Sequence, residues 1–258
     1  MQIQRNEAAP LVSVIMPAYN AGPFLAEAIE SVIAQSVTDW ELYVLDDCST
    51  DNTRQLAEEF ARKDPRIHLV ANAENMGVAK TRNRGLGLCR GQYVALLDSD
   101  DYWKPNWLEK MIARAEETGA DIIYCSYELV DEQGKKVCND FVVPLTTTFK
   151  ESIVRSVITC TTVMVTADFA KNHRFPTNIY HEDIALWFEA LRDGATAVGV
   201  PEVLAAYRQR ANSRSAGKLT SARRRWVIYR KHLGMSLPQS VATMARYGYY
   251  GMIKYKRV

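Results

Sequence analysis

The sequence has no apolar run that could cross a bilayer. Its longest weakly charged stretch, Ser156 to Ala170, is threonine-rich and too short for a membrane helix. The N-terminus lacks the basic-then-apolar pattern of a secretory signal. Cysteine is sparse: Cys48, Cys89, Cys125, Cys138 and Cys160 are odd in number and never spaced as Cys-x-x-Cys. A disulfide framework and a thiolate metal site are therefore not suggested, and reduced intracellular thiols are expected. Excess charge is missing too, since a formal net charge of +2 gives no argument for nucleic acid. The basic character is local, confined to a last forty residues rich in Lys and Arg and almost free of acids. These absences predict a cytoplasmic chain, soluble or peripheral at a membrane.

At 258 residues and 47% apolar, the chain has enough material for one large domain, or one domain with an appendage. Short β-branched runs, Val12–Met16, Glu41–Leu45, Ile67–Val70, Tyr93–Leu97 and Asp121–Tyr124, alternate with segments of helical spacing such as Phe24, Leu25, Ala28, Ile29, Val32 and Ile33. That order predicts an α/β fold with a mostly parallel central sheet flanked by helices. Ligands of such sheets bind outside the carboxyl ends of the strands. The residues there are Pro17 to Asn20, Asp46-Asp47, Ala71-Asn72 and Asp98-Ser99-Asp100-Asp101.

Beyond Tyr124 the alternation weakens. A polar hairpin or long excursion around Gln133-Gly134, a short helix and a strand over 157–165 are expected. A helix from about Asp183 to Arg192 and two strands near Ala197–Val200 and Val203–Tyr207 follow. From Leu219 the pattern is helical, with interruptions at Gly234 and Pro238.

Three carboxylates within four residues, Asp98, Asp100 and Asp101, repel one another unless a cation or a pKa shift relieves them. An extended chain would put the first two on one side, and oxygen ligands suit Mg²⁺ or Mn²⁺. The other reading is a solvated acidic turn before a helix with Pro105 in its first position and Lys104 as N-cap. Asp47, at a strand end, is placed to accept hydrogen bonds from a base or ribose, whereas Ser49 or Asp51 reads as a helix cap. Cations in the first turns of the helix after Asn75-Met76-Gly77 oppose its dipole. Lys80 and Arg84 read as solvated, and Arg82 is the functional candidate.

VSVIMPAYN, LDDCSTDNT, NMGVAKTRNRG and LLDSDDYWKP, in that order, resemble the nucleotide-binding half of family 2 glycosyltransferases with the GT-A fold. The resemblance is strong over 12–107 and thinner to about 215. It implies inverting transfer from a nucleotide-sugar, most often a UDP-sugar, as in bacterial polysaccharide and O-antigen synthesis. Pro17, Tyr19 and Asp47 would surround the nucleoside, with Arg82 near the base and Asp98 and Ser99 completing the nucleotide site. Asp98 and Asp100 would hold the metal, Asp100 foremost, and Asp101 matches an extra acid of open role. His181-Glu182-Asp183 is similar to the family's Glu-Asp pair, making Asp183 the general base and Glu182 its companion; a helix N-terminus would keep that base ionised. The bland alternative is that Asp183 caps the helix. Tyr207 to Ser215 is similar to a loop over the diphosphate, with Arg208 and Arg210 as candidates. Arg210 departs from the usual histidine, and since guanidinium cannot ligate a cation, weaker metal dependence is expected.

The resulting partition is a GT-A domain over 1–215, with a nucleotide-binding half at about 11–124 and an acceptor half at about 125–215, then a helical basic-aromatic extension over 216–258. Trp226, Tyr229, Tyr247, Tyr249, Tyr250 and Tyr255 among its cations suit either ordinary core or a membrane surface. The implied acceptor is a saccharide, undecaprenyl-diphosphate-linked in such pathways. Two rival readings are a sugar-phosphate nucleotidyltransferase, which would carry a glycine-rich basic loop where this chain has PAYNAG, and a non-catalytic nucleotide- or glycan-binding module. The first strand is not followed by Gly-x-Gly-x-x-Gly, which argues against a dinucleotide oxidoreductase.

Overall fold

The computed structural model describes residues 9–210 and 218–256. Four parallel strands, β1 (Val12–Ala18), β2 (Trp40–Asp46), β3 (Ile67–Ala71) and β4 (Tyr93–Leu96), stand in the order β3-β2-β1-β4. β1 and β2 are buried along their whole length, as expected of central parallel strands. Their alternating side chains feed two cores. Val14, Met16, Leu42 and Val44 meet helices α1 (Gly22–Ile33), α2 (Thr53–Lys63) and α4 (Trp107–Thr118) on one face. Ile15, Tyr43, Leu45 and Val94 face α3 (Val78–Leu86), α6 (Ala167–Asn172) and α7 (Glu182–Arg192) on the other. The α/β architecture read from the sequence is thus the one present.

The second half of the sheet departs from the simple pattern. After β4 the order continues β7-β6-β8-β5, where β5 is Tyr102–Trp103, β6 is Ile122–Val130, β7 is Val163–Thr166 and β8 is Ala197–Arg208. β7 runs antiparallel to both β4 and β6, and β5 antiparallel to β8, so the sheet is mixed. The strand expected over 157–165 starts only at Val163, because Cys160–Thr162 forms a 3-10 turn. The two strands expected after residue 196 are one: β8 stays parallel to β6 through a register shift opposite Ser126, with Pro201 and Glu202 bulged into solvent. The hairpin after β6 and the short helix α5 (Phe149–Arg155) are where the sequence put them, with Gly134 in the left-handed turn. α4 begins at Trp107 with Asn106 as N-cap, two residues later than Pro105 suggested.

The basic-aromatic extension forms α8 (Lys218–Val227), a π-helical turn at Ile228–His232, and α9 (Leu237–Lys256). Gly234 breaks the chain as expected, whereas Pro238 sits in the first turn of α9, where it lacks no needed N–H. Ile228 and Tyr229 join Ile153, Val154, Ala185 and Phe188 in a third core cluster, tying the extension to α5 and α7. Arg225 donates to the Ile153 carbonyl and the Ser156 hydroxyl. Tyr229 is therefore core, while Leu237, Val241 and Tyr249 remain exposed on α9. Among the described residues no helix is long and apolar enough to cross a membrane.

Candidate functional site

The carboxyl ends of β1, β2 and β3 are locked together by the loops that leave them. Asn20, in the left-handed region at φ 49°, donates its backbone N–H to the Ser49 hydroxyl and accepts from the Thr50 amide. Asp51 accepts from the Gly22 and Thr53 amides. Ser49 and Asp51, expected as caps of α2, thus brace two strand-end loops, and the N-cap residue Asn52 makes no side-chain cap bond. Pro17 is buried within β1, and Tyr19 is 51% exposed. Asp47 is buried, and its carboxylate accepts from the Asn72 amide group at 2.7 Å and from the Met76 and Gly77 backbone at 2.9 Å each. Three of about four acceptor positions are thereby used to shape the turn into α3.

At the end of β4 the chain turns instead of extending, because the Asp101 amide donates to the Asp98 carbonyl at 3.1 Å. The chain is thus not extended here, yet the turn still groups the first two acids apart from the third. Asp98 and Asp100 stay partly exposed, with side chains 30% and 28% accessible, while Asp101 points inward and Ser99 is buried. Asp101 accepts from the Arg208 amide at 2.7 Å and from the Thr161 hydroxyl. Burial, then the charges of Asp100 and Asp98, hold the Asp101 carboxyl well above the usual carboxylate range. Burial and Asp98 also raise Asp100, opposed by Arg210, whose guanidinium lies 3.3 Å from Asp100 Oδ2. This is the chemistry of a site with negative charge to spare. Among the described residues no cluster of three or more His, Cys, Asp or Glu is arranged to hold a metal. Two accessible carboxylates nevertheless suit Mg²⁺ or Mn²⁺, which draw the rest of their shell from water and phosphate.

Arg82 is almost fully buried and joins this turn to α7. Its Nη2 donates to Asp98 Oδ1 at 2.6 Å and its Nη1 to Glu182 Oε1 at 2.9 Å, with the guanidinium over the Phe175 ring. α7 begins after His181, which occupies the left-handed region at φ 63° and is the N-cap, so Asp183 lies in the first turn and is not the cap. Burial and the neighbouring Glu182 push the Asp183 carboxyl up to about 6, against the pull of Arg82 and the Ile184 amide. Loss of solvent and a like charge thus outweigh the dipole in raising its proton affinity, although a carboxyl at about 6 remains mostly ionised at neutral pH, as expected of a base.

Arg208, expected at a diphosphate, is buried and engaged elsewhere. Its Nε donates to the Asp100 carbonyl, its Nη1 to the Asp131 and Glu132 carbonyls, and its Nη2 to Glu27. Those bonds pin the end of β8 to α1, to the β4–β5 turn and to the hairpin after β6. Arg210 is more accessible, and the rest of its loop, 211–215, lies outside the described residues. Lys80 and Arg84 are both exposed as expected, and Arg84 also donates to the Ala71 carbonyl and to Asn72. Thr161, Glu27, Asn83 and Phe175 support the site without having drawn notice, since none belongs to a local pattern. A cavity of about 560 Å³ opens at the other end of β1 and β4, between Leu11, Arg90, Tyr93 and Lys171, and holds none of the expected site residues.

The sequence profile described as glycosyl transferase family 2 matches residues 13–137. The putative teichuronic acid biosynthesis glycosyltransferase TuaG of Bacillus subtilis is 37% identical over 222 residues, spanning 86% of this chain and 88% of TuaG. An Escherichia coli protein, UDP-Glc:alpha-D-GlcNAc-diphosphoundecaprenol beta-1,3-glucosyltransferase WfgD, is 35% identical over 84% of this chain and 85% of its own length. In fold, the chain superimposes on residues 1–349 of S. aureus TarS, solved in complex with UDP-GlcNAc, with a TM-score of 0.72 at 22% identity, covering 92% of this chain and 71% of that TarS fragment. It also matches the mannosyltransferase PcManGT of Pyrobaculum calidifontis, solved with GDP-Man and Mn2+, with a TM-score of 0.70 at 18% identity, covering 93% and 74% of the two chains.

Proposed function

The chain belongs to glycosyl transferase family 2, and from that premise we propose that it transfers a sugar with inversion from a UDP-sugar to a hydroxyl of a lipid-diphosphate-linked saccharide in cell-surface polysaccharide synthesis. One observation carries the reading. A single buried guanidinium, Arg82, brings the acids at the end of β4 together with Glu182-Asp183, a hundred residues apart in sequence from Arg82. Acids suited to a metal-bridged diphosphate and a carboxylate of raised proton affinity thus meet around one guanidinium. Asp183 takes the acceptor proton as the acceptor oxygen bonds to the anomeric carbon, and the bond from that carbon to the diphosphate breaks on the opposite face. Asp98 and Asp100 would hold a divalent cation, which supplies electrostatic stabilisation of leaving-group charge. Arg210, beside Asp100, adds positive charge there. Pro17 and Tyr19 flank the nucleoside, and Ser99 and Asp47 shape its floor, Asp47 through the turn before α3.

The donor and acceptor classes come from the relatives: WfgD is named for UDP-Glc and a diphosphoundecaprenol acceptor. A panel of UDP-, GDP- and dTDP-sugars with Mn²⁺ and no acceptor should give slow release of nucleoside diphosphate from one or two donors. That release should disappear with Asp100→Asn. Pyrophosphate release from a nucleoside triphosphate would instead favour a nucleotidyltransferase, and absence of nucleotide binding would sink the enzyme reading.

A lipid-linked acceptor places the enzyme at the inner face of the cytoplasmic membrane. The exposed Leu237, Val241 and Tyr249 on a helix containing no acid fit peripheral contact with anionic lipid. The intact protein should float with phosphatidylglycerol vesicles and not after deletion from Leu237 onward; an intact protein that stays at the bottom of the gradient overturns the membrane contact alone.

A further inference from the structure

We infer that Arg82 is a positioning residue that couples occupation of the nucleotide site to the placement of Asp183, acting through Glu182. This rests on the reading of Asp183 as the base. α3 is fixed on the sheet at Gly85, where a Cβ would come within 2.7 Å of Ile15 and 3.1 Å of Leu45, so the helix cannot stand further off without opening that contact. From this fixed helix two consecutive side chains reach the segment that leads into α7. Asn83 makes a reciprocal pair with the backbone of Phe175, its Nδ2 donating to the carbonyl and its Oδ1 accepting from the amide, each at 2.8 Å. Arg82 reaches further along the same segment to Glu182, with the Phe175 ring beneath its guanidinium. Its other arm holds Asp98.

The planar fork of guanidinium sets the spacing and orientation of the two carboxylates it bridges. Its Nε is buried without a hydrogen-bond partner, so the group is held by its two Nη contacts at the expense of a third. Both Arg82 and Glu182 are removed from water, with side chains 6% and 5% accessible, so breaking their contact costs more than it would at the surface. A ligand that engages Asp98 therefore fixes one end of the bridge, and Glu182, adjacent to Asp183 in the chain, is at the other. Lysine in place of Arg82 would keep the charge but present a single ammonium, unable to fork between two acids.

Amide hydrogen exchange of the first turn of α7, with and without UDP and Mn²⁺ and with GDP and Mn²⁺ in parallel, tests the coupling in the full chain. Nucleotide should slow exchange there roughly five- to tenfold in the native protein, within the ordinary range of coupling between sites. In Glu182→Gln, which preserves shape but not the ion pair, the slowing should vanish while nucleotide affinity stays within about threefold of native, because the change is made at the end of the Arg82 bridge away from Asp98. Arg82→Lys should lose it as well. Exchange of β1 and β2 in the same samples separates loss of coupling from loss of fold. The same slowing in Glu182→Gln, full retention in Arg82→Lys, or a native α7 that ignores bound nucleotide would each overturn the bridge while leaving the transferase reading intact. A native protein that binds neither nucleotide overturns the transferase reading as well.

Discussion

Asp183→Asn should lower sugar transfer by about 10²–10⁴-fold, the contribution of a positioned general base, with nucleotide affinity unchanged. The substitution keeps side-chain volume and removes a carboxylate that burial and Glu182 already push up to about 6. The sign of the pH effect follows. A base works only when deprotonated, so transfer by the native protein should be maximal above pH 7, about half-maximal near pH 6 and about one tenth at pH 5. Its effect on stability runs the other way. A carboxyl whose folded value lies above its unfolded value of about 4 stabilises the fold only at low pH, and that contribution is lost as pH rises through about 6. At neutral pH the asparagine variant should therefore melt no lower than native. An acid limb unchanged in position, or an Asp183→Asn protein within tenfold of native activity, would remove Asp183 from the mechanism.

Arg208→Met should destabilise the protein by about 3 kcal/mol, in the range for losing hydrogen bonds from a charged group and leaving buried acceptors unpaired. For a chain of this size that corresponds to a fall in Tm of about 6–12 °C. The carbonyls of Asp100, Asp131 and Glu132 all lose their shared donor, and the turn that presents Asp98 and Asp100 loses its tether to β8. A diphosphate ligand would behave differently: Tm would hold and the donor KM would rise. Thermal unfolding and donor titration of the same variant decide between the two, and an unchanged Tm would restore Arg208 to the phosphate site.

The parts of the site that were legible in the sequence are those fixed by short-range pattern. β-branched runs closed by acids gave the strand ends, since a buried parallel strand must be apolar and its carboxyl end is where polar groups first meet solvent. Helical spacing gave α1 and α7, including the burial of Trp187 and Phe188. The four ordered motifs gave the family. Residues with one dominant local role, such as Asn20 in its left-handed turn, lay within those motifs, but their partners did not.

What the sequence alone determined, then, was the class of fold, the strand ends at which chemistry gathers, and the family to which the chain belongs. Tertiary structure decided which charges are available. Arg82 and Arg208 look alike as basic residues beside a motif, yet one bridges two acids and the other is enclosed by carbonyls and a carboxylate from three separate segments. Asp98, Asp100 and Asp101 look alike as a cluster, yet a single turn sends the third inward to Thr161 and leaves the first two accessible. The single bulged β8 and the antiparallel β7 between β4 and β6 likewise follow from pairing between distant segments. The physical reason is range. Backbone periodicity and turns are set by neighbours within a few residues, whereas desolvation and ion pairing depend on which segments the sheet order brings together, and those lie up to a hundred residues or more apart along the chain.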